Sequence, residues 1–418
     1  MIFFFQAIFL SIIILHQNNI WVTLIPYPSA TFLIIGTTLF WFGLIRRNFF
    51  LRNLPLQAFI VLVLILVTQL LIGMESGAQQ TSIYRSMLRY ALLTIMCIGI
   101  ISQWRPAQEK YAIKLFVVIS TGIAFLGIVA WLIVNLTWIY DGVIDPAHFI
   151  DLEQFSGGKM TRLHGDGNAE LKNDWGIFAN TYSFPYSLGL VLTNSYLYEF
   201  AGIEFFRASG FFHEPVTTWF MTIPAIVLIT SGSLFSTNVR RLLITVQILF
   251  LFAAFSLSIM FSLVLIYIFR QMLYSVLDIS TSFARLKPFL LVAMVGVGIW
   301  VIQYLAADYN YKGYWSGMNV VLSRLHSNNY LEIVFNNFFN PSTVLLYIYL
   351  LGVAISCAWK ARLGQDNILM GFSLIVISFL IVALKGNFYH LLINPGFFIM
   401  FFIMLKHRKN MIVVFSRA

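Results

Sequence analysis

Apolar residues run along this chain in long blocks, and polar residues gather between the blocks instead of alternating within them. A helix that crosses the bilayer core needs about 20 such residues in a row. Blocks near that length fall at about 2–15, 22–45, 55–73, 86–102, 115–138 and 214–231, then at about 241–255, 256–270, 288–307, 341–359, 368–384 and 390–405. Each is predicted to be a spanning helix. The stretch between Arg241 and Arg270 needs a decision. At 1.5 Å per residue it measures about 43 Å, long for one span and short for two. We read it as two short spans meeting near Ser256–Ser258.

The basic residues give the orientation. With both ends of the chain on the cytoplasmic side, 17 of the 26 Lys and Arg fall there, including Arg46, Arg47, Arg105, Lys110, Arg240, Arg285, Lys360, Lys406 and Arg408. The outer side keeps Arg85, Arg89, Lys159, Arg162, Lys172, Arg207, Lys312, Arg324 and Lys385. This is the excess of Lys and Arg on cytoplasmic loops that sets membrane orientation. A single span at 241–270 would invert everything after it and spoil the bias. The expected architecture is therefore an all-α, polytopic integral membrane domain over 1–418, with about 12 transmembrane helices.

Composition narrows the class. Of 418 residues, 60% are hydrophobic and 10% charged, with a mean hydropathy of +0.84, where soluble domains carry roughly 25% charged residues. That excludes a soluble enzyme, a disordered chain and a secreted disulfide scaffold, and disfavours an outer-membrane barrel with its alternating strands. The net charge of +10 is a matter of loop placement in such a protein, not of nucleic-acid binding. Cys97 and Cys357 both lie inside apolar runs and carry no metal-type spacing. The start, Met-Ile-Phe-Phe-Phe, has no positive n-region and is expected to be an uncleaved first span.

Two outer loops are long, at about 139–213 and 308–340, and loops of that size are commonly functional. The first begins acidic, with Asp141, Asp145, Asp151 and Glu153. It turns apolar from Ser183, where we expect a re-entrant or interfacial segment. It ends in Arg207-Ala-Ser-Gly-Phe-Phe-His-Glu-Pro215, which places a guanidinium, an imidazole and a carboxylate at the entrance to a span. Pro215 suits the first turn of the helix that follows, and Glu214 sits favourably at its positive end. Read without chemistry, the same stretch is a capped helix start with a snorkelling arginine.

Arg-x-Ser-Gly-x-Phe-x-Glu-Pro resembles the signature of the bacterial O-antigen polymerase (Wzy-type) and O-antigen ligase superfamily. Ser323-Arg-Leu-His, ahead of Asn340-Pro341, resembles that family's second arginine segment, without the Gly-rich continuation usual there. The likeness extends to the general layout of most of the chain, and its motifs cover about a dozen residues. It implies a fold like the membrane glycosyltransferase C-type class, in the bacterial inner membrane, with both long loops periplasmic. It also implies a substrate carried on polyprenyl diphosphate, with a chain-length regulator and a flippase as partners and no nucleic acid.

Arginine suits that substrate, because its planar fork grips phosphate oxygens in pairs. Arg207 and Arg324 are the expected diphosphate ligands, joined by Arg89, one turn after Arg85 and just inside the fourth span, and by His326. Arg89 can equally snorkel outward. Glu214 is the first candidate for the base that assists the acceptor hydroxyl, and His213 the second. The first loop holds no Asp-x-Asp, and the reading calls for no metal and no cofactor.

The remaining histidines carry less. His390, or His326, can stand in for the late outer histidine of the ligases. His164 is expected in solvent, and His16, His148 and His407 at interfaces or surfaces. Three functions compete: a polymerase of lipid-linked repeat units, a ligase onto lipid A core, and a flippase. Charge confined to loops and span ends, and halves that do not resemble each other, count against transport.

Overall fold

The computed structural model describes residues 1–15, 25, 27–45, 80–141, 150–151, 182–183, 192–200, 203–210, 212, 218–231, 234–254, 257–277, 341–383 and 395–415. Among them are ten helices: α1 (Ile2–Leu15), α2 (Pro28–Ile45), α3 (Gln80–Ser102), α4 (Pro106–Asp141), α5 (Trp219–Ser231), α6 (Thr237–Ala254), α7 (Leu257–Leu277), α8 (Pro341–Leu363), α9 (Asn367–Ala383) and α10 (Pro395–Phe415). The expected spans at 55–73 and 288–307 lie outside the described residues, as does the second long loop.

By length and composition, three of the described helices can cross a membrane: Pro106–Ile133 within α4, Thr237–Ala254 and Leu346–Leu363 within α8. Shorter apolar helices accompany them, including α1 and α9. Large apolar side chains stand exposed on several helices, among them Ile34, Trp41 and Phe42 on α2 and Phe125, Leu132 and Leu136 on α4. Exposed apolar faces of this extent fit a lipid surround better than water. The junction expected near Ser256–Ser258 falls where residues 255 and 256 lie outside the described residues, between α6, described to Ala254, and α7, described from Leu257.

Local sequence explains where several helices start and stop. Pro28, Pro106, Pro341 and Pro395 open α2, α4, α8 and α10, at the one helical position where a missing N–H costs nothing. Ahead of α4, the Arg105 N–H donates to Gln108 Oε1 at 2.9 Å, the backward half of a capping box. Helix α8 closes with Asp366 N–H on the Ala361 carbonyl (2.9 Å) and Gln365 N–H on that of Arg362 (3.4 Å). This is a Schellman motif whose left-handed residue is Gln365, at φ 52°. Asp366 then caps α9, its Oδ1 accepting from the Ile368 and Leu369 N–H groups at 3.0 Å each.

The chain divides into two compact units. The first comprises Met1–Gly122, Trp219–Gln247 and Asn336–Ala418 and is a helical bundle. In it α10 packs against α1, α3, α8 and α9, and α9 also packs against α5 and α8. Residues Phe397 to Lys406 of α10 are all buried, as a helix that is apolar all round must be when it fills the centre of a bundle. Trp219, Phe220 and Phe379 form an aromatic cluster with ring centroids 4.4–5.2 Å apart. The second unit comprises Ile123–Thr218 and Ile248–Phe335.

The second unit departs from the all-α expectation. Between α4 and α5, β3 (Leu192–Phe200) and β4 (Ile203–Gly210) pair antiparallel, extended by the short strands β1 (Ile150–Asp151) and β2 (Tyr182–Ser183) in the order β1-β2-β3-β4. Of the stretch expected to be re-entrant or interfacial, Ser183 to Thr193, residues 184–191 lie outside the described residues, and a hairpin over Leu192–Gly210 begins at its end. A hairpin satisfies backbone groups between its own strands, and two residues separate β3 from β4, the commonest hairpin spacing.

Candidate functional site

The motif Arg207-Ala-Ser-Gly210 is the last part of β4. Arg207 pairs with Asn194, and register shifts flank that pair on both sides, between Asn194 and Leu197 and between Leu192 and Thr193. Such irregularities bend a strand and commonly stand next to functional sites, where they re-aim a side chain. Gly210 takes a left-handed backbone at φ 59°, which a side chain would strain by about 1–2 kcal/mol.

The end of β4 is seated on two helices. Ala208 and Phe212 are fully buried, as is Phe250 of α6. A methyl group at Gly127 of α4 would stand 2.6 Å from Phe250 Cε2 and 3.4 Å from the Gly210 Cα. A methyl group at Gly210 would meet Phe250 Cζ at 3.4 Å and Ile123 Cγ2 at 3.6 Å. Two glycines and one aromatic ring therefore bring the motif strand against α4 and α6 at backbone distance.

Arg89, the other expected ligand among the described residues, is half-buried on α3. Arg207 and Arg89 belong to different units. His213, Glu214, Arg324 and His326 lie outside the described residues, as does His390.

The sequence reading did not anticipate a charged cluster in the bundle of the first unit. Lys406 Nζ donates to Glu109 Oε2 at 2.8 Å and to the carbonyls of Ile101 (3.2 Å) and Trp104 (3.4 Å). His407 Nε2 lies 2.5 Å from Glu109 Oε1, and its Nδ1 lies 4.0 Å from Asp366 Oδ2. The side chains of Lys406 and Glu109 are only 5% and 4% exposed. Helix polarity favours the arrangement: Glu109 sits in the first turn of α4, and Lys406 covers carbonyls at the end of α3. His407, expected at a surface, is instead largely covered, because α10 carries it against the starts of α4 and α9. It lies beyond the apolar run that ends near 405. Burial opposes its charge, but the hydrogen bond and charge of Glu109, with Asp366 beyond, outweigh burial and raise its pKa above the ordinary 6.5.

Beside this cluster, Gln6, Gln103 and Trp104 tie α1, α2 and α3 together. Gln6 Nε2 donates to the Leu39 carbonyl (3.1 Å) and to Gln103 Oε1 (3.3 Å). Gln103 Nε2 donates to the Phe40 carbonyl (3.1 Å), and Trp104 Nε1 to Gln6 Oε1 (2.9 Å). The start of α1, the ends of α2, α3 and α8, the middle of α10 and the starts of α4 and α9 thus meet in this bundle.

No family model, curated protein or solved structure matches the chain.

Proposed function

We propose that this chain is a polysaccharide polymerase of the O-antigen type. It is a glycosyltransferase of the bacterial inner membrane with 12 spans and both termini cytoplasmic, and it joins polyprenyl-diphosphate-linked repeat units at the periplasmic face. One observation carries the reading: the Arg207–Gly210 motif occupies a strand bent on both sides of Arg207, with its glycine held against two apolar helices. An arginine fixed near such helices suits a substrate with a lipid tail and a diphosphate. The topology draws support from Trp104, which meets both Gln6 near the start of α1 and Lys406, the first residue past the apolar run of α10.

In the reaction, the oxygen of an acceptor sugar hydroxyl attacks the anomeric carbon of the donor glycan. The bond from that carbon to the diphosphate breaks, and polyprenyl diphosphate leaves with both bonding electrons. Arg207 and Arg324, with His326 as a further ligand, hold the diphosphates and offset the charge that grows on the leaving group. Glu214 takes the hydroxyl proton, or His213 in its place. Two or more guanidinium groups supply the stabilisation that a metal ion provides elsewhere, so the mechanism uses no metal or cofactor.

The test is a gel profile of surface polysaccharide from a strain lacking the protein, with and without the wild-type chain restored. Lipid core bearing a single repeat unit in the null strain, and a full ladder on restoration, is the expected result. Loss of all core-attached glycan with lipid-linked polymer accumulating would mean a ligase. Single lipid-linked units piling up on the cytoplasmic side would mean a transporter.

A further inference from the structure

We infer that Gly127 of α4 and Phe250 of α6 are positioning residues for the motif strand: together they seat Gly210 and so fix the backbone from which Arg207 is presented. The inference rests on the polymerase reading for its purpose, but its geometry stands apart from it. Glycine inside a helix costs about 1 kcal/mol relative to alanine, so a glycine in the middle of α4 needs a structural reason. At Gly122, five residues earlier on the same helix, a methyl group would meet no described atom within 4 Å. At Gly127 it would overlap Phe250 Cε2 at 2.6 Å, a separation that real side chains do not adopt.

Phe250 cannot yield cheaply, because its ring is fully buried and also lies 3.4 Å from where a Gly210 methyl would stand. Movement of the ring therefore passes to Gly210, whose left-handed backbone at φ 59° yields readily because it carries no side chain. Arg207 lies three residues upstream on the same strand, between the two register shifts. A displacement of about 1 Å at such a point can cost roughly a hundredfold in rate, because the charge no longer meets the leaving group.

The experiment uses the full chain in membranes and, purified, with a polyprenyl-diphosphate-linked repeat unit as substrate. Gly127→Ala is expected to lower the kcat of the folded protein at least tenfold, alongside a fall in melting from overpacking the buried ring, and Gly122→Ala to change neither. Phe250→Leu in the Gly127→Ala chain removes the atom that clashes and should restore kcat to within about threefold. A merely structural role would lower the amount of folded protein and leave its kcat at the wild-type value. A Gly127→Ala chain with wild-type kcat, or a defect that Phe250→Leu leaves unchanged, overturns the positioning role.

A second measurement separates this failure from failure of the polymerase reading. The methyl position at Gly127 lies 3.4 Å from the Gly210 Cα, so the two Cα atoms are at most about 5 Å apart, within disulfide reach. Gly127→Cys with Gly210→Cys, in a chain carrying Phe250→Leu to clear the clash and Cys97→Ala and Cys357→Ala, should cross-link on mild oxidation. Absence of the cross-link in inserted, folded protein overturns the seat itself. A null strain with a normal polysaccharide ladder overturns the polymerase reading, and with it the role, even where the cross-link forms.

Discussion

Replacing Glu109 by Gln keeps the side chain's shape and removes its charge, which isolates what the buried carboxylate does for the helical bundle. Glu109 accepts from Lys406 at 2.8 Å and faces His407 at 2.5 Å, in a site where its side chain is 4% exposed. Taking one partner from a buried ion pair costs about 3–5 kcal/mol, because the remaining charge stays desolvated. Lys406 keeps the carbonyls of Ile101 and Trp104 at 3.2 and 3.4 Å, which soften the loss and place Glu109→Gln near the low end, about 3 kcal/mol. Lys406→Met should cost a similar amount. The double variant should cost less than the sum by at least about 1 kcal/mol, because each single change leaves an orphan that the other removes. Both thiols of the chain, Cys97 and Cys357, are buried, so labelling by a thiol-reactive dye during heating in mild detergent reports unfolding. Unchanged melting of Glu109→Gln, or additive single changes, would refute the view that this pair holds the bundle.

Two further outcomes follow from the same part of the bundle. His407 has a raised pKa, so the stability it contributes is fully present below the ordinary value of 6.5 and is lost as pH rises through the raised value. Melting measured from pH 6 upward should therefore fall in wild type, and His407→Gln should flatten the decline; identical profiles would remove the histidine from the account. Gly43→Ala places a methyl group 1.7 Å from Gln103 Oε1, forcing Gln103 off the Phe40 carbonyl and off Gln6. Leaving such buried polar groups unpaired costs about 1–3 kcal/mol each, so Gly43→Ala should melt well below wild type, whereas Gly352→Ala, with no described atom within 4 Å of the added methyl, should not.

Much of this architecture is legible from residues close together in sequence. Apolar runs mark the helices because no other use of some 20 successive apolar residues is cheap. Proline at 28, 106, 341 and 395 marks four helix starts by removing a donor that has no partner there. The hairpin was not legible: Leu192–Phe200 mixes aromatic, polar and charged residues with register shifts, so neither a clean alternation nor a helical stripe survives. Nor was the cluster of Glu109 with Lys406 and His407, because its members are 297 and 298 positions apart and helix packing alone brings them together. Its one local trace is an isolated acid in the first turn of a spanning helix on a side otherwise rich in Lys and Arg.

The motif was legible as chemistry but not as geometry. Arg207 and Gly210 stand out by residue type and spacing, whereas the need for a bare Cα at Gly127 depends on a ring carried by another helix. A glycine within a long apolar run is a common sight, and its partner Phe250 is one of 41 phenylalanines. Sequence therefore pointed to the residue that would meet the substrate and passed over those that hold its strand.

The most direct measurement of the central claim is polymer formation by the purified chain from polyprenyl-diphosphate-linked repeat units, comparing wild type with Arg207→Lys. Lysine keeps the charge but cannot copy the paired hydrogen bonds of guanidinium to phosphate. The account predicts at least a tenfold loss of rate at unchanged melting, since the lost second hydrogen bond to a charged phosphate is worth about 1.5 kcal/mol or more. Full polymer length at wild-type rate from the Arg207→Lys chain would contradict it.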